Sequence, residues 1–204
     1  ARLDSYNQLT LPSKLMFFEI SPYVGLRETF FSRDNQGSSI SPRTVFYAGM
    51  DMSTRFYRVF NINSNFLGLN INRLRHVIIP RIKYGYIHEP TLSPSKLKNF
   101  DSVDTIDGDN RFTLELENKL QTKRDDNIVD LATFRISSEY IIYSRKDGIS
   151  TGQDRFSDFL FDLELAPYTW LRIEADATYE HRNDYFKTVN LDNWLNLGRG
   201  RSFG

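Results

Sequence analysis

"LRHVIIPRIKYGYIHEP", residues 74–90, alternates like a β-strand and carries a proline in its middle. Leu74, His76, Ile78, Pro80, Ile82, Tyr84 and Tyr86 form one set of alternate positions; Arg75, Val77, Ile79, Arg81, Lys83 and Gly85 form the other. Successive side chains of a strand point to opposite faces. The stretch therefore has one apolar, aromatic face and one face with three cations. Proline has no N–H for a ladder and is tolerated in sheets at edges, strand starts and bulges. A bulge at Pro80, or water reaching the partner carbonyl, is the expectation, and Pro22 repeats the situation.

The same period of two runs along most of the chain. Met16, Phe18, Ile20, Pro22, Val24, Leu26 and Phe30 alternate with Phe17, Glu19, Ser21, Tyr23, Arg27 and Thr29. Phe46, Ala48, Met50, Met52 and Phe56 alternate with Asp51, Ser53 and Arg55. Leu114 and Leu116 alternate with Glu115, Glu117 and Lys119, and Phe134 and Ile136 alternate with Arg135 and Glu139. Phe159, Phe161, Leu163 and Leu165 oppose Asp162 and Glu164, and Ile173, Ala175 and Ala177 oppose Arg172, Glu174 and Asp176. No helical stripe is present. Nine strands are expected, at 2–11, 15–31, 44–60, 73–87, 110–121, 129–144, 156–166, 169–181 and 187–198. Their connections alternate short and long. Loops 32–43, 88–109, 145–155 and 182–186 fall on one side, and turns near 12–14, 61–72, 122–128 and 166–168 on the other.

Alternation alone also suits a soluble β-sandwich with one wet face. Two features favour a membrane wall. Soluble strands run ~5–6 residues, whereas a tilted membrane strand needs ~9–11 in hydrocarbon, and several stretches here hold phase longer than that. On the apolar faces, Glu28, Arg58, His76 and Asp130 lie near strand ends, where a lipid-facing charge is cheap; at the midplane Arg or Lys costs ~2–4 kcal/mol. A closed barrel satisfies every backbone group in lipid, which an open sheet does not. The reading is an all-β fold: an antiparallel up-and-down transmembrane β-barrel, with residues 1–204 forming one partial domain of about nine strands out of a larger barrel. The ending "GRGRSFG" is also read as a fragment boundary.

Composition narrows the function. The 204 residues hold 26 basic and 26 acidic side chains, which argues against a nucleic-acid partner. There is no cysteine for a disulfide framework or a thiolate metal site. The three histidines, at 76, 88 and 181, lack zinc spacing and cannot assemble a nucleophile–His–acid set. No secretory leader is recognisable at the start. No catalytic, cofactor or metal residues are assigned, and enzyme chemistry is not expected.

The lipid-facing set is expected to be Phe18, Ile20, Val24, Leu26, Met50, Ile78, Pro80, Ile82, Leu114, Leu116, Phe134 and Ile136. The lumen-facing polar set is Asp51, Arg55, Arg75, Arg81, Lys83, Glu115, Glu117, Lys119, Arg135 and Glu139, with Glu19, Arg27, Arg172, Glu174 and Asp176 extending it. It reads either as a conduit wall and plug-docking surface or as solvated faces with weak cross-strand ion pairs. Arg75, Arg81 and Lys83 are the candidate contact for phosphate or saccharide, since cations suit phosphate. Glu115 and Glu117 have the same-face placement of glycosidase carboxylates, and equally that of two acids beside Lys119. Asp101, Asp104, Asp107 and Asp109 read as a solvated loop or as oxygen ligands for calcium, without the EF-hand pattern. Tyr84 and Tyr86 suit an aromatic girdle or ordinary packing.

"LRHVIIPRIKYGYI", followed by "NFDSVDTIDGDNRFTLELENKL", resembles the LPS-assembly outer-membrane protein family (LptD, also called Imp or organic-solvent-tolerance protein). "RLDSYNQLTLPSK", "ISPYVGLRETFFS" and "FSDFLFDLELAP" also look like its barrel. The resemblance implies a barrel of about 26 strands in the cell outer membrane. It implies lipopolysaccharide or a related glycolipid as cargo, a lipoprotein plug in the lumen, and periplasmic bridge proteins as partners. Outer-membrane lipids would surround it. The saccharide would pass through the polar lumen, and acyl chains would leave through a seam between first and last strands. The family's N-terminal jelly-roll domain, seam strands and cysteines are not found in these residues. A porin-like solute barrel and a soluble β-rich carbohydrate-binding domain are the alternatives.

Overall fold

The computed structural model describes residues 1–33, 37, 42–124, 127–145, 147, 155–196 and 202–203. Strands and two 3-10 turns are its regular elements. The strands are β1 (Arg2–Thr10), β2 (Ser13–Leu15), β3 (Phe18–Phe31), β4 (Arg43–Ser53), β5 (Phe56–Ser64), β6 (Ile71–Ile87), β7 (Asp109–Arg124), β8 (Asn127–Ser144), β9 (Phe159–Tyr168), β10 (Leu171–Glu180), β11 (Tyr185–Asn196) and β12 (Ser202–Phe203). They hydrogen-bond in the order β1-β3-β4-β6-β7-β8-β9-β10-β11-β12, with β2 on β3 and β5 on β6. The fold is all-β, and its neighbours are chain neighbours, the up-and-down order that long alternating strands with local connections dictate. The expected loops 32–43 and 145–155 lie largely outside the described residues, as does most of "GRGRSFG".

The chain divides into two compact units. The first comprises Ala1–Met52, Ile82–Thr113 and Glu139–Phe156; the second comprises Ser53–Arg81, Leu114–Ser138 and Ser157–Gly204. In neither is there a large apolar core. Among the described residues the buried apolar side chains are Val45, Leu97 and Ile141 in the first unit and Val77 and Leu131 in the second. Large apolar side chains instead face outward in mid-strand. Val24 is 47%, Met50 36%, Leu114 39% and Phe134 37% exposed, values that a second protein layer over that face would not allow. Soluble sheets cover such a face with their own chain.

The prolines act differently from the expected bulge. Along β3, β1 pairs down to Thr10↔Tyr23 and β2 resumes at Ser13↔Ile20. Two residues are passed on each strand, so the register does not slip. In the gap, Leu11 N–H donates to Pro22 O at 3.0 Å, and Pro22 has no N–H to return the bond. The second unit repeats this. Phe56 pairs with Ile78, and two residues along each strand Thr54 N–H donates to Pro80 O at 3.3 Å. The missing donor at Pro80 removes the rung there, which explains why the expected strand 44–60 is two elements, β4 and β5, with a break at Thr54–Arg55. Each proline interrupts its neighbour while the register holds.

A bulge does occur at another proline. Between Leu171↔Tyr168 and Ile173↔Leu165 the partner strand uses one residue more, which places the irregularity at Ala166–Pro167. Pro167 thus lies within β9, and the tight turn expected at 166–168 falls at Thr169–Trp170 instead. The expected strand 15–31 is also interrupted: Met16 and Phe17 form the turn between β2 and β3, with Met16 at φ 55°.

In the first unit, loop 88–108 folds against the strand ends. The guanidinium of Arg43, fully buried, donates to the carbonyls of Leu92 at 3.0 Å, Val103 at 2.8 Å and Ile106. Arg2 donates to Asp101 and to the fully buried Asp104, which also accepts from Phe100 N–H at 2.9 Å. Tyr143 and Arg145 both donate to Glu89.

Two predictions follow from these contacts. Pro80→Val supplies the missing donor opposite Thr54. It is expected to add about 0.5–1.5 kcal/mol and to protect the new amide at position 80 in hydrogen exchange. An amide there that exchanges as fast as an open loop contradicts the missing-rung account. The second concerns Asp101, whose carboxyl the Arg2 guanidinium holds down at about 2. A carboxyl held low stabilises the folded loop above its ordinary range, and that contribution is lost as pH falls through about 2. A carbon-13 titration should find Asp101 near this value, and Arg2→Ala should return it to the ordinary aspartate range. A normal midpoint in the unaltered protein contradicts the latch.

Candidate functional site

The polar side chains of alternate strand positions meet across the strands, because directly opposed residues on one face lie close together. In the second unit Arg81 donates to Glu115 at 2.6 Å. Arg135 donates to Glu117 at 2.6 Å and to Asp162 at 2.8 Å. Lys119 lies 3.4 Å from Glu117 and 3.5 Å from Asp130. Asp130, expected near a strand end on the apolar face, thus reaches polar-face partners, including Gln121 at 2.5 Å. In the first unit Arg27 is bidentate to Asp4, and Arg111 binds Asp109, Glu139 and Asp147.

Most of these cations are matched. Arg75 is an exception: its Nε donates to Gln121 at 2.7 Å, and its guanidinium lies 5.9 Å from the Tyr57 ring centre. Among the described residues no carboxylate pairs with Arg75 or with Arg55. Both line one open cavity of about 360 Å3 in the second unit, together with Arg81 and Lys119. Its floor is Val77 and Ile79, the exposed Tyr57 stands beside Arg75, and Glu117 is its single acidic lining residue. Val77 is buried, so the floor is fixed while the long cations around it reach into solvent. An electropositive, open recess with guanidinium forks can take an anionic oxygen cluster such as a phosphate.

The sequence grouped Arg75, Arg81 and Lys83. The first two share the basin with Arg55 and Lys119, but Lys83 lines a separate cavity of about 310 Å3 in the first unit with Asp51, Arg111, Tyr23 and Tyr47. Tyr23 lies across the neighbouring strand because Gly49 leaves room: a Cβ at Gly49 would be 2.5 Å from Tyr23 Oη. Tyr57, Gln121 and the hub Arg111 were not singled out from sequence. Their signal was present, since each shares the phase of its strand's charged residues. Glu139 belongs to the Arg111 hub.

The acidic candidates act as arginine partners. Asp101 and Asp104 hold Arg2, Asp109 holds Arg111, and Asp107 caps Gly108 N–H at 2.8 Å. Among the described residues no group of three or more His, Cys, Asp or Glu is placed to hold a metal ion. Glu115 and Glu117 are each bound by an arginine, which opposes the free acid and base that glycoside hydrolysis requires.

A search of curated proteins finds no match. A family model described as "LptD: LPS transport system D" matches residues 1–194. That match spans nearly the whole chain, over an antiparallel, core-poor sheet with one apolar and one charged face, and the chain therefore belongs to the LptD family of LPS transport proteins.

Proposed function

We propose that this chain is a stretch of wall in the outer-membrane translocon that inserts lipopolysaccharide into the outer leaflet. The apolar face, with Val24, Leu26, Met50, Ile78, Ile82, Leu114 and Phe134, meets acyl chains and anchors the barrel. The opposite face lines a hydrated passage for the saccharide and phosphate end of the glycolipid. A lipoprotein plug occupies that passage, and periplasmic bridge proteins deliver cargo through another part of the protein. Family membership supports lipopolysaccharide transport as the setting.

The observation that carries this reading is the basin in the second unit. Arg55 and Arg75 have no carboxylate partner there, whereas Arg135 and Arg81 on the same face do. An exposed cation beside acids on a crowded polar face gains something from pairing. Two left unmatched beside a rigid apolar floor form a standing site for an external anion. Their guanidinium groups supply the directional donors that a phosphate uses. Cargo that must leave again needs contacts of this modest kind, since water competes for each of them.

The test is binding of lipopolysaccharide, and of the same material after phosphate removal, to the reconstituted protein. The Arg55→Gln/Arg75→Gln pair is expected to weaken binding of the phosphorylated form about tenfold, the effect of roughly 1.4 kcal/mol. It should leave the dephosphorylated form nearly unchanged. Equal losses for both forms, or no loss for either, contradict the assignment.

A further inference from the structure

The two tryptophans of the chain lie in one place. Trp170 and Trp194 line a cavity of about 290 Å3 in the second unit, with Tyr168, Arg172, Asn196 and Arg124. The cavity forms at the Thr169–Trp170 turn, where β9 passes into β10. Tyr168 and Trp170 are stacked, with ring centres 5.0 Å apart and planes 9° apart. Asn196 N–H donates to Trp170 O at 2.8 Å, which ties the turn to β11. Both indoles remain accessible, at 45% and 41% exposure.

The position of Trp194 departs from the commonest role of tryptophan in an outer-membrane wall. Girdle tryptophans stand on the lipid face at headgroup level. Trp194 is instead directly opposite Arg172 across the β10–β11 ladder, and the Arg172 guanidinium lies 5.8 Å from the Trp194 ring centre. Arg172 in turn binds Glu174 at 2.5 Å and Glu164 at 3.2 Å, and Glu174 pairs across the ladder with Glu164. Trp194 therefore belongs to the charged face; Trp170 lies in the turn, and its stacking partner Tyr168 is directly opposite Leu171. Ile173, Ala175 and Leu163 alternate onto the other face.

Flat, half-exposed indole faces that line one cavity with the Arg172 guanidinium and the Asn196 amide suit one class of ligand. A pyranose ring has an apolar C–H face that lies against an aromatic ring and an edge of hydroxyls that seek such polar groups. Tryptophan and tyrosine provide the apolar contact with little conformational freedom to lose. The cavity is at the small end of the roughly 300–1,000 Å3 range of ligand sites, a size for a sugar ring rather than a folded partner. It also differs from the basin at Arg55 and Arg75, whose cations outnumber its acids.

We propose that Tyr168, Trp170 and Trp194 form a saccharide-stacking subsite, a contact for one pyranose ring of the transported glycolipid. It rests on the reading that the charged face meets the saccharide end of the cargo. Arg172 orients the ring by its hydroxyls, and the stacked Tyr168–Trp170 pair sets the plane it slides against.

The test uses the membrane protein carrying this chain, labelled with 5-fluorotryptophan and placed in lipid nanodiscs. Trp170→Phe and Trp194→Phe assign the two fluorine resonances. The probe is core oligosaccharide freed from lipopolysaccharide by mild acid and then dephosphorylated. Both resonances should shift saturably, and Trp170→Ala should weaken that binding roughly tenfold, while Arg55→Gln/Arg75→Gln leaves it unchanged. The subsite is overturned, and the transport reading stands, if neither resonance moves although intact lipopolysaccharide still binds through Arg55 and Arg75. It is overturned also if the resonances answer to a short-chain phospholipid and not to the sugar, the behaviour of an interfacial anchor. If neither oligosaccharide nor intact lipopolysaccharide binds, the reading of the charged face falls with it.

Discussion

The cross-strand N–H to C=O ladder is the interaction on which everything else in this chain depends. Five buried apolar residues among those described are too few to hold 204 residues together by burial. What links the strands is each backbone donor finding the carbonyl of its neighbour. Hydrocarbon makes that obligatory, because a backbone group without a partner there costs several kcal/mol. The prolines show how strictly the ladder is kept. At Pro22 and Pro80 one donor is missing, yet pairing resumes in the same register on the far side. At Pro167 the strand bulges instead, close to a turn, where extra length is accommodated at the strand end.

The side chains divide the two surfaces of this ladder by polarity. Apolar residues stand exposed on one surface; on the other, arginines and carboxylates pair from strand to strand. Each such pair contributes little by itself in a wet environment. Their larger effect is to let a densely charged surface remain neutral almost everywhere. Against that background the few unmatched cations become conspicuous, and so does Trp194, an indole directly opposite Arg172. The loop 88–108 follows a different principle. Its contacts are a buried arginine on backbone carbonyls and a second, exposed arginine on a buried aspartate, so it is ordered by specific hydrogen bonds.

Much of the strand pattern was legible because a period of two needs no information beyond the neighbouring residues. Leu114 to Lys119 and Phe134 to Arg135 could be assigned to faces by counting alone. The family resemblance around residues 74–120 was legible for the same local reason, and the family match over residues 1–194 agrees with it. The interruptions were not legible. The break at Thr54–Arg55 is caused by a proline on another strand, about 25 residues away in sequence, so nothing in "DMSTRFYRV" announces it. The arginine latches on loop 88–108 were invisible for the same reason. Arg75 and Arg81 line one cavity and Lys83 another, because adjacency along one face is not shared occupancy of one cavity. Trp170 and Trp194 could be seen as rare residues, but their common location needed the β10–β11 register.

The central claim is that the apolar surface meets acyl chains while the charged surface meets water. This stretch has no cysteine, so single cysteines can be introduced at Leu114, Glu115, Leu116 and Glu117 in turn and spin-labelled in reconstituted bilayers. Collision rates with oxygen, which concentrates in hydrocarbon, and with a water-soluble nickel chelate should alternate in antiphase: oxygen high at 114 and 116, nickel high at 115 and 117. Equal access of the nickel chelate to all four positions, without alternation, would contradict the account.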